Sequence, residues 1–117
     1  MQGKRLDRVN QLLKEEVSML LQRELKDPRL GFVTITEVET TKDLRQAKIF
    51  VSVLGTDEQW RSSLQGLASA RGFIRHWLRE DLDLRVTPTL EFRADRSMEH
   101  AAHIQALFRQ LASERPA

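Results

Sequence analysis

Arginine dominates the side chains of this sequence that could do chemistry. Of 19 basic residues, 14 are arginine, whose planar fork suits phosphate oxygens and base edges where lysine offers only a point charge. Arg71, Arg75 and Arg79 recur every four residues. At roughly 100° per residue they fall on one narrow helical arc, with Phe73 and Trp77 on the opposite side. Within Ala70-Arg71-Gly72-Phe73-Ile74-Arg75 a glycine interrupts this helical run. Glycine costs about 1 kcal/mol against alanine inside a helix, and it lets a backbone turn or approach a ligand closely. The pattern predicts a break at Ala70–Gly72 that exposes N–H groups and a helix N-terminus beside positive charge, a site for an anion and first of all phosphate. A packing kink and a solvated arginine face paired with Glu80 or Asp81 are the alternative readings.

Lys4, Arg5 and Arg8 form a second basic cluster. Cations sit badly at a helix N-terminus, so helix stability does not explain them, whereas a polyanion partner or a frayed terminus does. Arg45 and Lys48 open a strand and extend either patch. Catalysis finds little support. The chain has no cysteine and no tyrosine, no Gly-x-Ser-x-Gly turn and no phosphate-cradling loop. His100 and His103 stand three apart, with Asp95 and Glu99 near in sequence. A small metal-dependent hydrolase built on them is a competing class, but no motif completes the ligand set. Neither metal nor cofactor is expected, and the protein is read as non-catalytic. A protein-interaction module whose basic patches meet acidic partners is a third class.

The elements that position these residues follow from periodicity. Leu6, Val9, Leu13, Val17, Leu20 and Leu21 mark a helix over about residues 4–26, stopped by Asp27-Pro28-Arg29-Leu30-Gly31. Residues 32–40 are β-rich. Residues 47–54 alternate, with Ala47, Ile49, Val51 and Val53 facing one way, and the short link suits an antiparallel hairpin. Thr56-Asp57-Glu58-Gln59 has the form of a capping box, opening a helix with Trp60, Leu64 and Leu67 inward. A further helix follows the glycine. Residues 89–94 form a third strand. Ser97 is expected to cap a last helix whose apolar face is Ala101, Ile104, Leu107, Phe108 and Leu111. The order α-β-β-α-(kink)-α-β-α describes a small α+β fold, helices packed on one side of a three-stranded sheet. If the second and third strands are parallel neighbours, their crossover is right-handed.

At 117 residues with 40% hydrophobic and 31% charged residues, the chain is expected to be one soluble domain, residues 1–117, with an ordered core of about 5–112. No apolar run reaches membrane length, and Met1-Gln2-Gly3-Lys4-Arg5 lacks a secretory apolar region. A cytoplasmic monomer is the simplest expectation. The net charge of +2 does not by itself announce a nucleic-acid binder, because clustering on one face is what counts.

Read in order, the segments resemble the ribosome-binding factor A family, assembly factors of the bacterial small ribosomal subunit. The resemblance runs from Arg5 to Leu111. It rests on Arg5-Leu6-Asp7-Arg8-Val9, Lys26-Asp27-Pro28-Arg29-Leu30, Val33-Thr34-Ile35-Thr36-Glu37-Val38, Asp43-Leu44 and Ala47-Lys48-Ile49-Phe50-Val51-Ser52. Ala70-Arg71-Gly72-Phe73-Ile74-Arg75, Leu84-Arg85, Pro88-Thr89-Leu90-Glu91-Phe92 and Asp95-Arg96-Ser97 complete the set. It implies a KH-like domain of the second type, with an Ala-x-Gly kink at Ala70-Arg71-Gly72 in place of the Gly-x-x-Gly loop. It further implies binding to rRNA of the immature small (30S) subunit, support of late maturation and 5′-end processing, growth in the cold, and release helped by an assembly GTPase. On this reading Arg71, Arg75 and Arg79 meet phosphates around Gly72, and Lys4, Arg5, Arg8, Arg45 and Lys48 make a second footprint. A generic single-strand RNA binder is the alternative within the same class, although KH domains grip single strands through the loop this chain lacks. The family usually carries an acid where Thr89 stands, which leaves that carboxylate's role without a bearer here. Some members have longer tails after the last helix, and functions that need one are not carried over from the resemblance.

Overall fold

The computed structural model describes residues 2–25, 27–82, 84 and 86–114; Lys26 and Arg85 of the motif strings lie outside them. The element order is α1 (Gln2–Arg23), β1 (Phe32–Thr40), β2 (Gln46–Leu54), α2 (Asp57–Asp81), β3 (Thr89–Ala94) and α3 (Ser97–Ser113). The sheet order is β1-β2-β3, with β1 antiparallel to β2 and β3 parallel to β2. This is the expected α+β, KH-like arrangement, with two differences in its helices.

The first difference lies at the glycine. α2 is one helix of 25 residues and runs through Ala70-Arg71-Gly72 without a break, so the two-helix reading and its exposed N–H groups are corrected. The reason is energetic. One helical glycine costs about 1 kcal/mol, while the stripe it would disrupt is wholly buried on both sides of it: Leu67 before, Ile74 and Leu78 after. Burying each such side chain contributes about 1.5–3 kcal/mol. The capping box fixes the start of α2, with Thr56 Oγ1 accepting from the Gln59 N–H (3.2 Å) and Gln59 Oε1 from the Thr56 N–H (2.6 Å).

The second difference is α3. It forms as the periodicity predicts, but none of its residues is buried, so the helices that pack on the sheet are α1 and α2. Ser97 is the first helical residue and Arg96 the cap position. Asp95 does the capping, its Oδ1 accepting from the Ser97 N–H (2.9 Å).

Leu13, Val17 and Leu20 of α1 meet Ile35, Val38, Ala47, Ile49, Val51 and Leu90 of the sheet in one core with the α2 stripe. Phe73 differs from the expectation and is half exposed. In β1 the inward residues are Ile35 and Val38, three apart, because a bulge lies between Ile35 and Glu37. The extra residue, Thr36, resets the alternation that a period of two would otherwise carry to the wrong face. Its hydroxyl donates to Asp95 Oδ2 (2.6 Å), tying β1 to the end of β3. α1 ends at Arg23, ahead of the proline. The following loop is fixed to α2, where Ser63 Oγ accepts from the Gly31 N–H (3.1 Å) and Ser62 Oγ donates to the Arg29 carbonyl (3.1 Å).

Where α1 meets the end of α2, a hydrogen bond shared with the Asp81 carboxyl, then burial, then repulsion between the two carboxylates hold Glu16 above the usual glutamate range. A carboxyl raised on folding contributes stability below its unfolded value, and that contribution is lost as pH rises through the raised value. Glu16→Gln is therefore expected to raise the denaturation midpoint at pH 7. The gain should shrink to nothing once pH falls below the ordinary glutamate range. Urea titrations of both proteins at several pH values check this.

Candidate nucleic-acid interface

Topology gathers the predicted site at one end of the sheet. The β1–β2 hairpin (residues 41–45) lies there, and β3 starts beside it, with the Thr89 N–H donating to the Arg45 carbonyl (2.8 Å). α1 reaches the same end early, since Asn10 Oδ1 accepts from the Thr40 N–H (2.9 Å). Lys4, Arg5 and Arg8 lie within two turns of Asn10, and all three are exposed. α2 crosses back along the sheet and delivers its C-terminal half to this end, because only residues 82–88 separate it from β3.

Arg71 and Lys48, distant in sequence, line a single cleft of about 420 Å³ with Glu39, Thr40, Gln46 and Glu91. Arg71 Nε donates to the Ala68 carbonyl one turn back (3.3 Å), leaving its remaining donors to solvent. Arg79 is exposed on the same arc. Arg75 differs from its neighbours. It is partly buried, and its Nη2 donates to the Thr87 carbonyl (3.2 Å), so it ties the α2–β3 connection down just before buried Pro88. The arginine row thus has two solvent-facing members and one that serves the fold.

Ala70 is half-buried and Gly72 exposed. A methyl group built on Gly72 would have nothing within 4 Å, so the glycine leaves a bare patch of helical backbone between Arg71 and Arg75. What the helix offers there is close approach, not a helix N-terminus.

Lys48 stands in a cross-strand row, paired with Glu39 on one side and Glu91 on the other. Glu91 Oε1 is also bound by Arg93 Nη2 (2.9 Å). The site is therefore basic with acidic residues interleaved, which exposed opposite charges on neighbouring strands support modestly. Strand alternation alone places Lys48 on the outer face; that Glu39 and Glu91 flank it requires the strand order. Arg45 is exposed at the hairpin, where Asp43 Oδ1 accepts its N–H (3.1 Å) and the Thr41 hydroxyl (2.6 Å). These bonds, the Thr41 one first, hold the Asp43 carboxyl below the usual range.

The cluster considered for metal chemistry is differently employed. Asp95 binds Thr36 and the start of α3, and Glu99 Oε1 accepts from Trp60 Nε1 (3.0 Å). His100 and His103 are exposed. Among the described residues no three His, Cys, Asp or Glu side chains are grouped to hold a metal ion, and no helix is long and apolar enough to cross a membrane.

Comparison with known proteins bears on this geometry. Residues 5–108 match the sequence family described as Ribosome-binding factor A. A ribosome-binding factor A from Thermomicrobium roseum is 46% identical over 108 residues, covering 92% of this chain and 84% of the relative. The crystal structure of ribosome-binding factor A from Thermus thermophilus superposes with a TM-score of 0.68 at 25% identity, over 76% of this chain and 93% of that one. A Thermus thermophilus ribosome-binding factor A homology model, fitted into the cryo-electron-microscopy map of a 30S complex of that protein, gives a TM-score of 0.62 at 28% identity, over 74% and 90%.

Because Gly72 is helical with open space around it, Gly72→Ala is expected to stabilise the fold by about 0.5–1 kcal/mol. The same methyl group intrudes on the bare backbone patch. For a face that meets RNA, a raised thermal midpoint together with weakened RNA binding is the expected pair of results. Calorimetry and a filter-binding titration check them, and unchanged binding would remove Gly72 from the interface.

Proposed function

The chain belongs to the ribosome-binding factor A family, and from that premise we propose that it binds the immature small ribosomal subunit through rRNA. The chain spans 84% of the Thermomicrobium relative's length, so the reading concerns most of a family member. The proposed role is non-catalytic and cytoplasmic. The protein acts as a monomer in late maturation, including 5′-end processing of the rRNA, it supports growth in the cold, and an assembly GTPase promotes its release.

The observation that carries this reading is the convergence of exposed cations from three elements at the hairpin end: Lys4, Arg5 and Arg8 from α1, Lys48 from β2, and Arg71 and Arg79 from α2. Most contacts to nucleic acid go to phosphate and sugar, and they set register and orientation. Cations held at one end of a folded body, rather than along one flexible segment, suit an RNA surface of fixed shape. The unbroken α2 favours the subunit over generic single strands, since it has no loop to clamp an extended backbone. Arg45 extends the face at the hairpin. Arg75 contributes by holding the α2–β3 connection, and Ala70 and Gly72 by keeping the helix surface low between the arginines.

Co-sedimentation with small subunits through gradients at low and moderate salt tests the proposal. Arg71→Glu/Arg79→Glu is the informative variant, because both residues are exposed and the fold does not depend on them. The wild type is expected to travel with free small subunits and not with assembled ribosomes. Its affinity should fall steeply with salt, and the variant should lose most binding with a shallower salt slope. A wild type that stays at the top of the gradient would refute the ribosomal reading.

A further inference from the structure

α3 presents an apolar surface that the other described residues leave exposed. Ile104, Leu107, Phe108 and Leu111 are 38%, 45%, 66% and 61% exposed, and Met98 is 65% exposed. Their spacing, i, i+3, i+4 and i+7, is that of an amphipathic helix seated in a groove. With Ala101 they span an arc of about 120° at 3.6 residues per turn. That is the width of a helix packed on a broad apolar surface; a two-stranded coiled coil uses a narrower seam.

Charge narrows the choice of partner. The 17 residues of α3 hold one arginine, Arg109, and one glutamate, Glu99, so the net +2 of the chain lies wholly outside this helix. A helix that met phosphates would carry cations, and one that lay in a membrane surface would carry lysine and arginine along its polar face. α3 does neither. The chain's own outer sheet face does not suit it either, because docking there would bury Lys48, Glu91 and Arg93 against apolar side chains.

The root of α3 is held in place. Trp60 Nε1 donates to Glu99 Oε1 (3.0 Å), and the Arg96 guanidinium lies 4.3 Å from the Trp60 ring centroid while binding Asp57 (3.0 Å) and Glu99 (3.3 Å). With Thr36 bound to Asp95, this cluster fixes the direction in which the helix leaves the body. A pre-oriented helix loses less freedom on docking.

We propose that α3 is a protein-docking helix: Ile104, Leu107, Phe108 and Leu111 seat in an uncharged apolar groove of a protein component of the small subunit, while the basic end of the domain engages rRNA. The inference rests on the ribosomal reading above. It makes the protein a two-point binder, with one contact set by salt-sensitive phosphate pairing and the other by salt-insensitive apolar burial.

Photocrosslinking tests it. The full chain carries Phe108→p-benzoylphenylalanine, or Ala102→p-benzoylphenylalanine on the opposite face as control, and is irradiated on purified immature small subunits. The position-108 probe is expected to crosslink to a ribosomal protein, and the position-102 probe not. Crosslinks from position 108 to rRNA, to a second copy or to this chain's own body would overturn the proposal. So would the absence of crosslinks from a probe that still sediments with subunits. Alongside, Leu107→Ser/Phe108→Ser alters only exposed positions, so its circular dichroism and thermal midpoint should match wild type. Its subunit affinity is expected to fall about tenfold or more, by the same factor at low and moderate salt. Unchanged affinity, or a loss confined to low salt, would also overturn it. If the unmodified protein does not sediment with small subunits, the ribosomal reading fails and this inference falls with it; if it does, a negative result at α3 removes the docking helix alone.

Discussion

The packing of α2 on the inner face of the sheet is the contact that governs the molecule. β3 lies parallel to β2, so the chain must return along the full length of the sheet before β3 can begin, and α2 is that return. Its buried stripe, Trp60, Leu67, Ile74 and Leu78, holds the helix in one rotational phase. That phase decides which side Arg71 and Arg79 face, and it places Arg75 near enough to the next connection to bind Thr87. Gly66 lets α2 approach the Asp27–Gly31 loop closely, where an added methyl group would come within 3.1 Å of Leu30. The basic surface is thus a consequence of core packing, with no element of its own.

A second consequence is a division of labour along the chain. Residues before β3's end hold all of the excess positive charge, and α3 holds an apolar stripe with balanced charge. The Trp60–Arg96–Glu99 cluster sits between the two. Its ion pairs are exposed, worth little singly, and their use here is orientation. The buried indole supplies the fixed point, because its ring is enclosed and its N–H has a single direction in which to donate.

Much of this is legible in the residues alone. Alternation over Ala47–Val53 identifies the inner face of β2, the 3–4 spacing of Leu13, Val17 and Leu20 identifies the inner face of α1, and Thr56–Gln59 gives the start of α2. The failures come where a local rule competes with a distant partner. Gly72 carries a helix-breaking tendency of about 1 kcal/mol that the sheet-facing stripe outweighs. Ser97 is a good cap by type, but Asp95, oriented by Thr36 across the sheet, takes the role. Arg75 reads as a member of an arginine row until the loop bearing Thr87 is placed beside it.

Side-chain period and capping chemistry in the sequence were enough for the three strands, α1, the start of α2 and the α+β class, and the ordered short motifs carried the resemblance to the family and, through it, the KH-like arrangement. Only the packed molecule shows that Arg71 and Lys48 share a cleft, that Lys48 lies between Glu39 and Glu91, and that no residue of α3 is buried among the described residues. Each of these is a relation between segments far apart in the chain. Periodicity says which face of a segment seeks burial. Whether another segment supplies the surface that meets it depends on the burial and pairing of all the others at once.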